Sequence, residues 1–252
     1  MNRLKITGLN FDINWKDKLK NYSEIEREFQ GVESDVFLLP EMFPTGFCME
    51  PEEIADRENE SLNWMKNFAK SKNAAVCGSA SVKDGEHFYN RMYFVEPNGT
   101  HHQYDKRHLF SYSGEDKIYT PGKERVVIEY KGVRILLQVC YDLRFPVFAR
   151  NNDDYDLILY VASWPEKRVG AWEHLLKARA IENLSYVFGL NRIGTDGNNL
   201  YYPESSHCFF ADGTEISEKS GNLITADIEI GKVQDFRNHF HFLDDRDYFE
   251  IL

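Results

Sequence analysis

The chain has 252 residues, of which 42% are hydrophobic and 28% are charged. This length and balance are typical of a folded protein with a sizeable core, and they exclude a disordered or fibrous chain. Lysine and arginine number 30 against 41 acidic residues, which gives a formal net charge of −11. An acidic protein is poorly suited to a nucleic-acid backbone or an anionic membrane. We therefore expect no nucleic acid and no membrane among its partners.

The longest apolar run covers residues 157–162, far short of the roughly 18 residues that a membrane span needs. No signal-peptide core can be drawn near the amino terminus. The four cysteines are widely spaced and form no C-x-x-C pair. Free thiols are the usual state of such cysteines when no secretory signal is present. We expect a cytoplasmic protein.

In chain order, the apolar pattern first predicts alternating strands and helices. These are a strand over residues 3–11, a helix over 15–29, a strand over 36–39, a helix over 59–72, and strands over 74–82, 87–96 and 100–105. In the helix over 15–29, the apolar residues Trp15, Leu19, Tyr22, Ile25 and Phe29 stand at helical spacing.

The second half continues this alternation. It predicts a hairpin over residues 126–130 and 133–139, a strand over 157–162, a helix over 171–184, and strands over 186–192, 207–210 and 222–228. The tail from residue 231 has no clear period. Alternating strands and helices with extra hairpins indicate an α/β protein with a mixed sheet. No repeat or linker interrupts the pattern, so we expect one domain over residues 1–252.

Three predicted strands lead into a reactive side chain. Glu41 follows the second strand, Lys106 follows the strand ending at residue 105, and Cys140 follows the strand ending at residue 139. Open α/β sheets place ligands beyond the carboxyl ends of their strands. These three side chains could therefore meet in one pocket.

Cys140 stands where a strand passes into a possible helix. Asp142 could cap that helix, and Pro146 suits a first turn. A helix amino terminus lowers the pKa of a thiol and offers backbone N–H groups to an oxyanion. The alternative is a buried, inert cysteine, and position alone does not decide. Cys48, Cys77 and Cys208 have no comparable context, so we expect them to be inert.

The sequence allows two interpretations of Glu41 and two of Lys106. A carboxylate in apolar surroundings can exchange protons near neutral pH, but a glutamate at a strand end can equally form a salt bridge. Lys106 lies in a charged run, YDKRHLF, and such runs are usually solvated. Sequence motifs for zinc, nucleotide and dinucleotide sites are absent, and the histidines at 101, 102, 239 and 241 lack a companion cluster. We expect no metal and no other cofactor.

Together, three segments resemble the glutamate, lysine and cysteine motifs of the nitrilase superfamily. They are LPEMFPTGF at 39–47, YDKRHLF at 104–110 and VCYDLRFP at 139–146. The wording of the last two is most similar to the omega-amidase branch, whose members hydrolyse the terminal amide of 2-oxoglutaramate and related 2-oxo acid amides. The resemblance implies a four-layer αββα sandwich of mixed sheets. It also implies a homodimer in which the tail, about residues 231–252, helps to pair the subunits.

The resemblance implies a catalytic role for each motif. Cys140 is the nucleophile and Glu41 the proton carrier, while the Lys106 ammonium and the Tyr141 backbone N–H hold the oxyanion. The family also has a second glutamate between its lysine and cysteine motifs. Glu115 matches that place when the chain is counted back from Pro121-Gly122. Glu124, beyond Pro121-Gly122, fits less well.

A 2-oxo dicarboxylic monoamide carries a carboxylate that needs a cation. Arg168 fits the Trp-Pro-x-x-Arg pattern of the branch, although it could equally be a surface residue. We expect Phe43, Tyr141 and Trp164 to line the same pocket. We expect Arg144 to form a structural ion pair instead, with the carboxylate of residue 142 or 182.

The same three motifs leave two alternatives open. An N-carbamoyl-amino-acid hydrolase or a general aliphatic amidase would use the same residues. A non-catalytic scaffold that binds a partner is a different class, and the intact glutamate, lysine and cysteine argue against it. A true nitrilase is disfavoured because Tyr141-Asp142 follows the cysteine in place of the tryptophan-containing variant.

Overall fold

Two mixed β-sheets pack face to face in the computed structural model, which describes residues 3–251. The ends of the predicted domain, residues 1, 2 and 252, lie outside the described residues. The strands are β1 (Arg3–Leu9), β2 (Val36–Leu38), β3 (Ala75–Asp84), β4 (His87–Val95), β5 (His101–Asp105), β6 (Val127–Tyr130), β7 (Val133–Val139), β8 (Leu157–Ala162), β9 (Tyr186–Asn191), β10 (Gly194–Thr195), β11 (Tyr201–Tyr202), β12 (His207–Phe209), β13 (Glu218–Ser220) and β14 (Leu223–Glu229). The helices are α1 (Lys18–Glu28), α2 (Pro51–Ile54), α3 (Glu60–Lys72), α4 (Pro146–Ala149), α5 (Val169–Asn183) and α6 (Ile230–Phe240).

Each large sheet is parallel at its centre and antiparallel at its edges. The seven-stranded sheet has the order β13-β14-β1-β2-β3-β4-β5, and its parallel pairs are β1–β2 and β2–β3. The five-stranded sheet has the order β12-β9-β8-β7-β6, with β7–β8 and β8–β9 parallel. All six residues of β8 are buried, as expected for a parallel strand covered on both faces.

The layers follow from which side chains the two sheets share. Ile6 and Leu38 of the first sheet belong to one apolar cluster with Leu137 and Leu159 of the second, so the sheets face each other. Helices α1 and α3 cover the outer face of the first sheet, and α5 packs on the second. A Cβ atom at Gly189 would lie 2.4 Å from Leu176, so glycine there allows α5 to approach β9 closely. The predicted αββα sandwich of mixed sheets is confirmed.

The predicted start of the first helix is wrong. The helix expected over 15–29 begins only at Lys18, because the side chain of Asp17 caps it by accepting the Lys20 N–H at 3.1 Å. Leu19 in the first turn is 80% exposed, whereas Tyr22 and Ile25 are buried.

The tail also contains structure that the sequence did not predict. Residues 230–240 form α6, which continues directly from β14. Its apolar contacts are few: Ile230 and Val233 are buried, and the ring of Phe236 lies 5.3 Å from that of Phe210. Because mostly polar residues separate these apolar ones, the sequence shows no clear helical period. None of the helices within residues 3–251 is long and apolar enough to cross a bilayer.

Candidate active site

The carboxyl ends of three strands lie around one cavity of about 260 Å³. Glu41 comes after β2, Lys106 directly after β5, and Cys140 directly after β7. The first two belong to the seven-stranded sheet and the third to the five-stranded sheet, so the cavity opens where the sheets meet. The structure thus brings together the three side chains that the sequence singled out, and all three line the cavity.

Glu41 is fully buried and accepts three hydrogen bonds. Its Oε1 accepts from Lys106 Nζ at 2.8 Å and from Asn90 Nδ2 at 2.8 Å. Its Oε2 accepts from the backbone N–H of Ser163 at 2.9 Å. Three donor atoms, from one strand and two strand ends, therefore fix the orientation of this carboxylate beside the cavity.

Lys106 is also fully buried, which excludes the reading of a solvated charged run. Its Nζ donates to Glu41 Oε1 and to both oxygens of Glu115, at 3.1 and 2.9 Å. Burial lowers the pKa of the ammonium, but the negative charges of Glu115 and Glu41 outweigh it and raise the pKa overall. Lys106 therefore stays positively charged near neutral pH.

The second glutamate beside Lys106 is Glu115, not Glu124. Glu115 is fully buried, and its Oε2 also accepts from the Phe110 backbone N–H at 2.6 Å. Burial raises the pKa of the Glu115 carboxyl, although the nearby Lys106 ammonium opposes this. Glu124 is exposed to solvent.

Cys140 begins a single turn of 3-10 helix, Cys140–Arg144, and has a backbone φ of +46°. A positive φ is unusual for a residue other than glycine, and it marks a sharp bend from β7 into the turn. Asp142 caps this bend by accepting the Val139 N–H at 3.0 Å. Asp142 lies inside this turn and bonds back to the residue before it, so it does not cap an α-helix as the sequence suggested.

The sequence left open whether a helix amino terminus lowers the pKa of the Cys140 thiol, and in the structure that pKa is not lowered. Burial raises the pKa of the thiol well above its ordinary value, and the charge of Glu41 raises it further, although Lys106 opposes both effects. One turn of 3-10 helix has too small a dipole to reverse this. The sulfur therefore keeps its proton at rest, and a base would have to remove that proton before the sulfur could act as a nucleophile.

Asp142 links the cysteine motif to the lysine motif. It is fully buried, and it accepts the Tyr104 hydroxyl at 2.8 Å and the His108 backbone N–H at 3.0 Å. The Nδ1 atom of His108 also lies 2.7 Å from Asp142 Oδ1. These contacts hold the turn that carries Cys140 against the segment that follows Lys106.

The expectation for Arg144 is wrong, because its two proposed partners are occupied. Asp142 pairs with His108, and Glu182 pairs with Arg179 at 2.7 Å. Within residues 3–251, Arg144 forms no ion pair. Its guanidinium lies over the ring of Trp164, 5.0 Å from the centroid, and it lines the cavity.

Of the other predicted pocket residues, Tyr141, Trp164 and Arg168 line the cavity and Phe43 does not. The Arg168 guanidinium lies 4.9 Å from the ring centroid of Phe110, and the described residues offer it no carboxylate. Phe43 is fully buried beneath the outer helices, with its ring 5.6 Å from that of Trp64. The chain turns at residue 42, which has a positive φ, and this sends Phe43 into the apolar layer. Phe47 lines the cavity in its place.

The sequence interpretation missed two parts of the site. One is Asn90, which lies on β4 on the same face as the buried residues Met92 and Phe94. A polar residue on the apolar face of a strand was the available signal. The other is the hairpin of β10 and β11, which adds Asp196, Asn198, Leu200 and Tyr202 to the cavity lining.

Asp196 shapes that hairpin. Its carboxylate accepts the backbone N–H groups of Asn198 and Leu200 at 2.8 and 2.9 Å, and the hydroxyl of Tyr202 at 2.8 Å. The Asp196-Gly197-Asn198-Asn199 run is typical of a tight turn and was the signal for it. No group of three or more side chains suited to a metal ion was found in the part of the chain that the structure describes.

A buried thiol, carboxylate and ammonium line one small cavity in an αββα sandwich, an arrangement that suits a hydrolase with a sulfur nucleophile. The family model for carbon-nitrogen hydrolases matches residues 5–238. The chain belongs to the carbon-nitrogen hydrolase family.

Among similar proteins, the omega-amidase YafV of Escherichia coli strain K12 is 42% identical, and the match covers 98% of each chain. The 2-oxoglutaramate amidase of Bacillus subtilis is 30% identical over 95% of this chain and 96% of its own. The crystal structure of XC1258 from Xanthomonas campestris, a CN-hydrolase superfamily protein with an arsenic adduct in its active site, has 37% identity and a TM-score of 0.94, with full coverage of both chains.

Proposed function

We propose that this chain is an omega-amidase that converts 2-oxoglutaramate to 2-oxoglutarate and ammonia through a thioester on Cys140. The observation that carries the proposal is one cavity lined by Glu41, Lys106 and Cys140 together with two arginines that have no carboxylate partner among the described residues. Two relatives that match over nearly their whole length are named omega-amidase and 2-oxoglutaramate amidase, which supports the same activity.

The first half of the reaction forms the thioester. Glu41 takes the proton of the Cys140 thiol as the sulfur attacks the amide carbon, which fits the raised pKa of that thiol. The Lys106 ammonium and the Tyr141 backbone N–H hold the oxyanion of the tetrahedral intermediate. Glu41 then gives its proton to the departing nitrogen, so that ammonia leaves and the acyl group stays on sulfur.

The second half restores the enzyme. Glu41 takes a proton from a water molecule, whose oxygen attacks the thioester carbon. Collapse of this second intermediate breaks the carbon–sulfur bond, returns the proton to the Cys140 sulfur and releases the carboxylic acid. Glu115 contacts Lys106 through both carboxylate oxygens and so positions the ammonium throughout.

Substrate choice depends on the cations in the cavity. The carboxylate of a 2-oxo acid amide needs a positive partner. Burying the carboxylate without a cation, or the cation without an anion, costs free energy. Arg168 is our candidate for this contact, with Tyr141 and Trp164 beside it on the cavity wall. Arg144 is a second cation on the same wall and belongs to the same binding region.

Arg168→Ala is expected to raise the KM for 2-oxoglutaramate about 10-fold or more, because a charge-assisted contact to the substrate is lost. The KM for a neutral aliphatic amide should change little. Steady-state ammonia release measures both. Lys167→Ala, which removes an exposed neighbouring cation, is the matched control and should leave both values unchanged. An unaltered preference between the two amides in Arg168→Ala would reject this role.

A substrate panel tests the proposed function directly. The purified protein is expected to release ammonia faster from 2-oxoglutaramate than from an N-carbamoyl amino acid or a simple aliphatic amide. Faster turnover of either alternative would replace omega-amidase by that class. If the protein hydrolyses none of the three and substrate does not protect Cys140 from a thiol reagent, the binding scaffold becomes the better account.

The proposal also includes the domain organisation, the oligomeric state and the location of the protein. Residues 1–252 act as a single domain, and the chain works as a homodimer. Exposed aromatic side chains at Phe242, Tyr248 and Phe249 support a subunit contact that includes the tail. The cytoplasmic location is supported by the four cysteines, all of which are free and buried.

A further inference from the structure

Asn90 contacts both carboxylates of the site. It is 1% exposed, and its Nδ2 donates to Glu41 Oε1 at 2.8 Å and to Glu115 Oε1 at 3.2 Å. A side-chain amide has two N–H hydrogens, and these two contacts use both. Turning the amide over would put its oxygen against two carboxylate oxygens. The Asn90 amide is therefore oriented with Nδ2, not Oδ1, toward the two carboxylates.

The same two oxygens also accept from Lys106. Nζ lies 2.8 Å from Glu41 Oε1 and 3.1 Å from Glu115 Oε1, so the two carboxylates are bridged twice, once by an ammonium and once by an amide. Two carboxylates and one ammonium leave a surplus negative charge in a buried place. An amide N–H that donates to the carboxylates lowers the free energy of burying this surplus charge, and the amide itself does not titrate.

We propose that Asn90 is a positioning residue that keeps Glu41 and Glu115 side by side as unprotonated carboxylates, so that Glu41 is free to accept the proton of Cys140. The inference deepens the proposed function and rests on it for the role of Glu41. Asn90 itself is not among the residues that line the cavity, so its effect reaches the substrate only through the carboxylates.

The titratable groups in and around this cluster are the two carboxylates, Tyr119, Cys140 and Lys106. Burial already raises the pKa of the Glu115 carboxyl, which makes Glu115 prone to take up a proton. The phenol of Tyr119 and the thiol of Cys140 have pKa values raised by burial and stay neutral. The Lys106 ammonium stays charged. Loss of the two amide donors therefore favours proton uptake by the carboxylate pair.

Asn90→Ala is expected to lower kcat for 2-oxoglutaramate about 10- to 100-fold at pH 7, with little change in KM. The carboxylates should then be protonated at higher pH, so the acidic limb of the kcat profile should move upward by about one to two pH units. The deficit should consequently shrink as the pH rises. Asn90→Asp keeps the shape of the side chain and should show the same upward shift, which covers the case in which the alanine variant folds poorly.

Asn151→Ala is the matched control. Asn151 is a buried asparagine whose Nδ2 also makes two hydrogen bonds, to the Tyr155 and Asn183 carbonyls at 3.1 and 2.9 Å, away from the cavity. It should lose stability but keep the position of the acidic limb. If both Asn90 variants lose kcat by one constant factor at every pH, or keep the wild-type profile, the positioning role is overturned.

A second readout needs no amide substrate. Alkylation of Cys140 by iodoacetamide, followed by mass spectrometry of its peptide, reports when the thiol can give up its proton to Glu41. Its pH dependence should shift upward in both Asn90 variants and stay in place in Asn151→Ala. A wild-type protein that releases no ammonia would defeat the proposed function, whereas an unshifted alkylation profile would defeat the role of Asn90.

Discussion

Cys140→Ala is expected to abolish amide hydrolysis, with kcat falling on the order of 10⁴-fold or more. Cys140 lines the cavity together with Glu41 and Lys106, and its sulfur is the nucleophile of the proposed mechanism. Without it, water would have to attack a neutral amide in place of a thioester. Ammonia release from 2-oxoglutaramate, followed over hours, measures the residual rate.

The thioester itself can be detected by chemical trapping. Hydroxylamine attacks the thioester carbon of the wild-type enzyme, and sulfur leaves, so a hydroxamic acid accumulates. Cys140→Ala should give none. Cys208→Ala is the matched control, because Cys208 is also a buried free thiol but lies in β12, among the apolar cluster. It should form the hydroxamic acid and keep most of its kcat. Hydroxamic acid from the Cys140 variant would show that the acyl group is carried elsewhere.

The raised pKa of the Cys140 thiol makes this chemistry depend on Glu41. A thiol that holds its proton cannot attack until a neighbouring base removes it. Glu41 is held in place by donors from Lys106, Asn90 and the Ser163 backbone, none of which can accept that proton. In the proposed mechanism, the Cys140 thiol therefore stays inactive until Glu41 removes its proton.

The sequence predicted the strands well because buried strands in this fold are unbroken apolar runs. β2, β8 and the β6–β7 hairpin lie within a residue of their predicted bounds. It failed where a single polar contact decides the outcome. The Asp17 cap sets the start of α1, three residues later than the apolar pattern predicts. α6 has too few buried side chains to give a helical period.

The same division holds for the site. Residues at strand ends could be predicted, because topology alone brings Glu41, Lys106 and Cys140 to one place. The direction of a side chain within a loop could not. Phe43 faces the outer helices because the chain turns at residue 42, and Arg144 is left facing the cavity because the acids near it bind other partners. The sign of the Cys140 pKa shift also depends on burial, which spacing in the sequence does not reveal.

Lys106→Met is expected to damage both catalysis and stability. Loss of an oxyanion donor should lower kcat by about 10²–10³-fold. The substitution keeps the length of the side chain but leaves Glu41 and Glu115 buried with no cation, which should cost about 3–5 kcal/mol of the free energy of unfolding. Ammonia release and urea unfolding at pH 7 measure the two effects separately.

A second substitution separates the two roles of the ammonium. Glu115→Gln in the Lys106→Met background removes one of the two unpaired carboxylates, so it should restore about 1–3 kcal/mol of stability. It supplies no cation to the oxyanion, so kcat should stay as low as in the single variant. Recovery of kcat together with stability would mean that Lys106 acts only by balancing charge. A Lys106→Met protein as stable as the wild type would mean that the buried carboxylates do not depend on the ammonium, because they can hold a proton in its place.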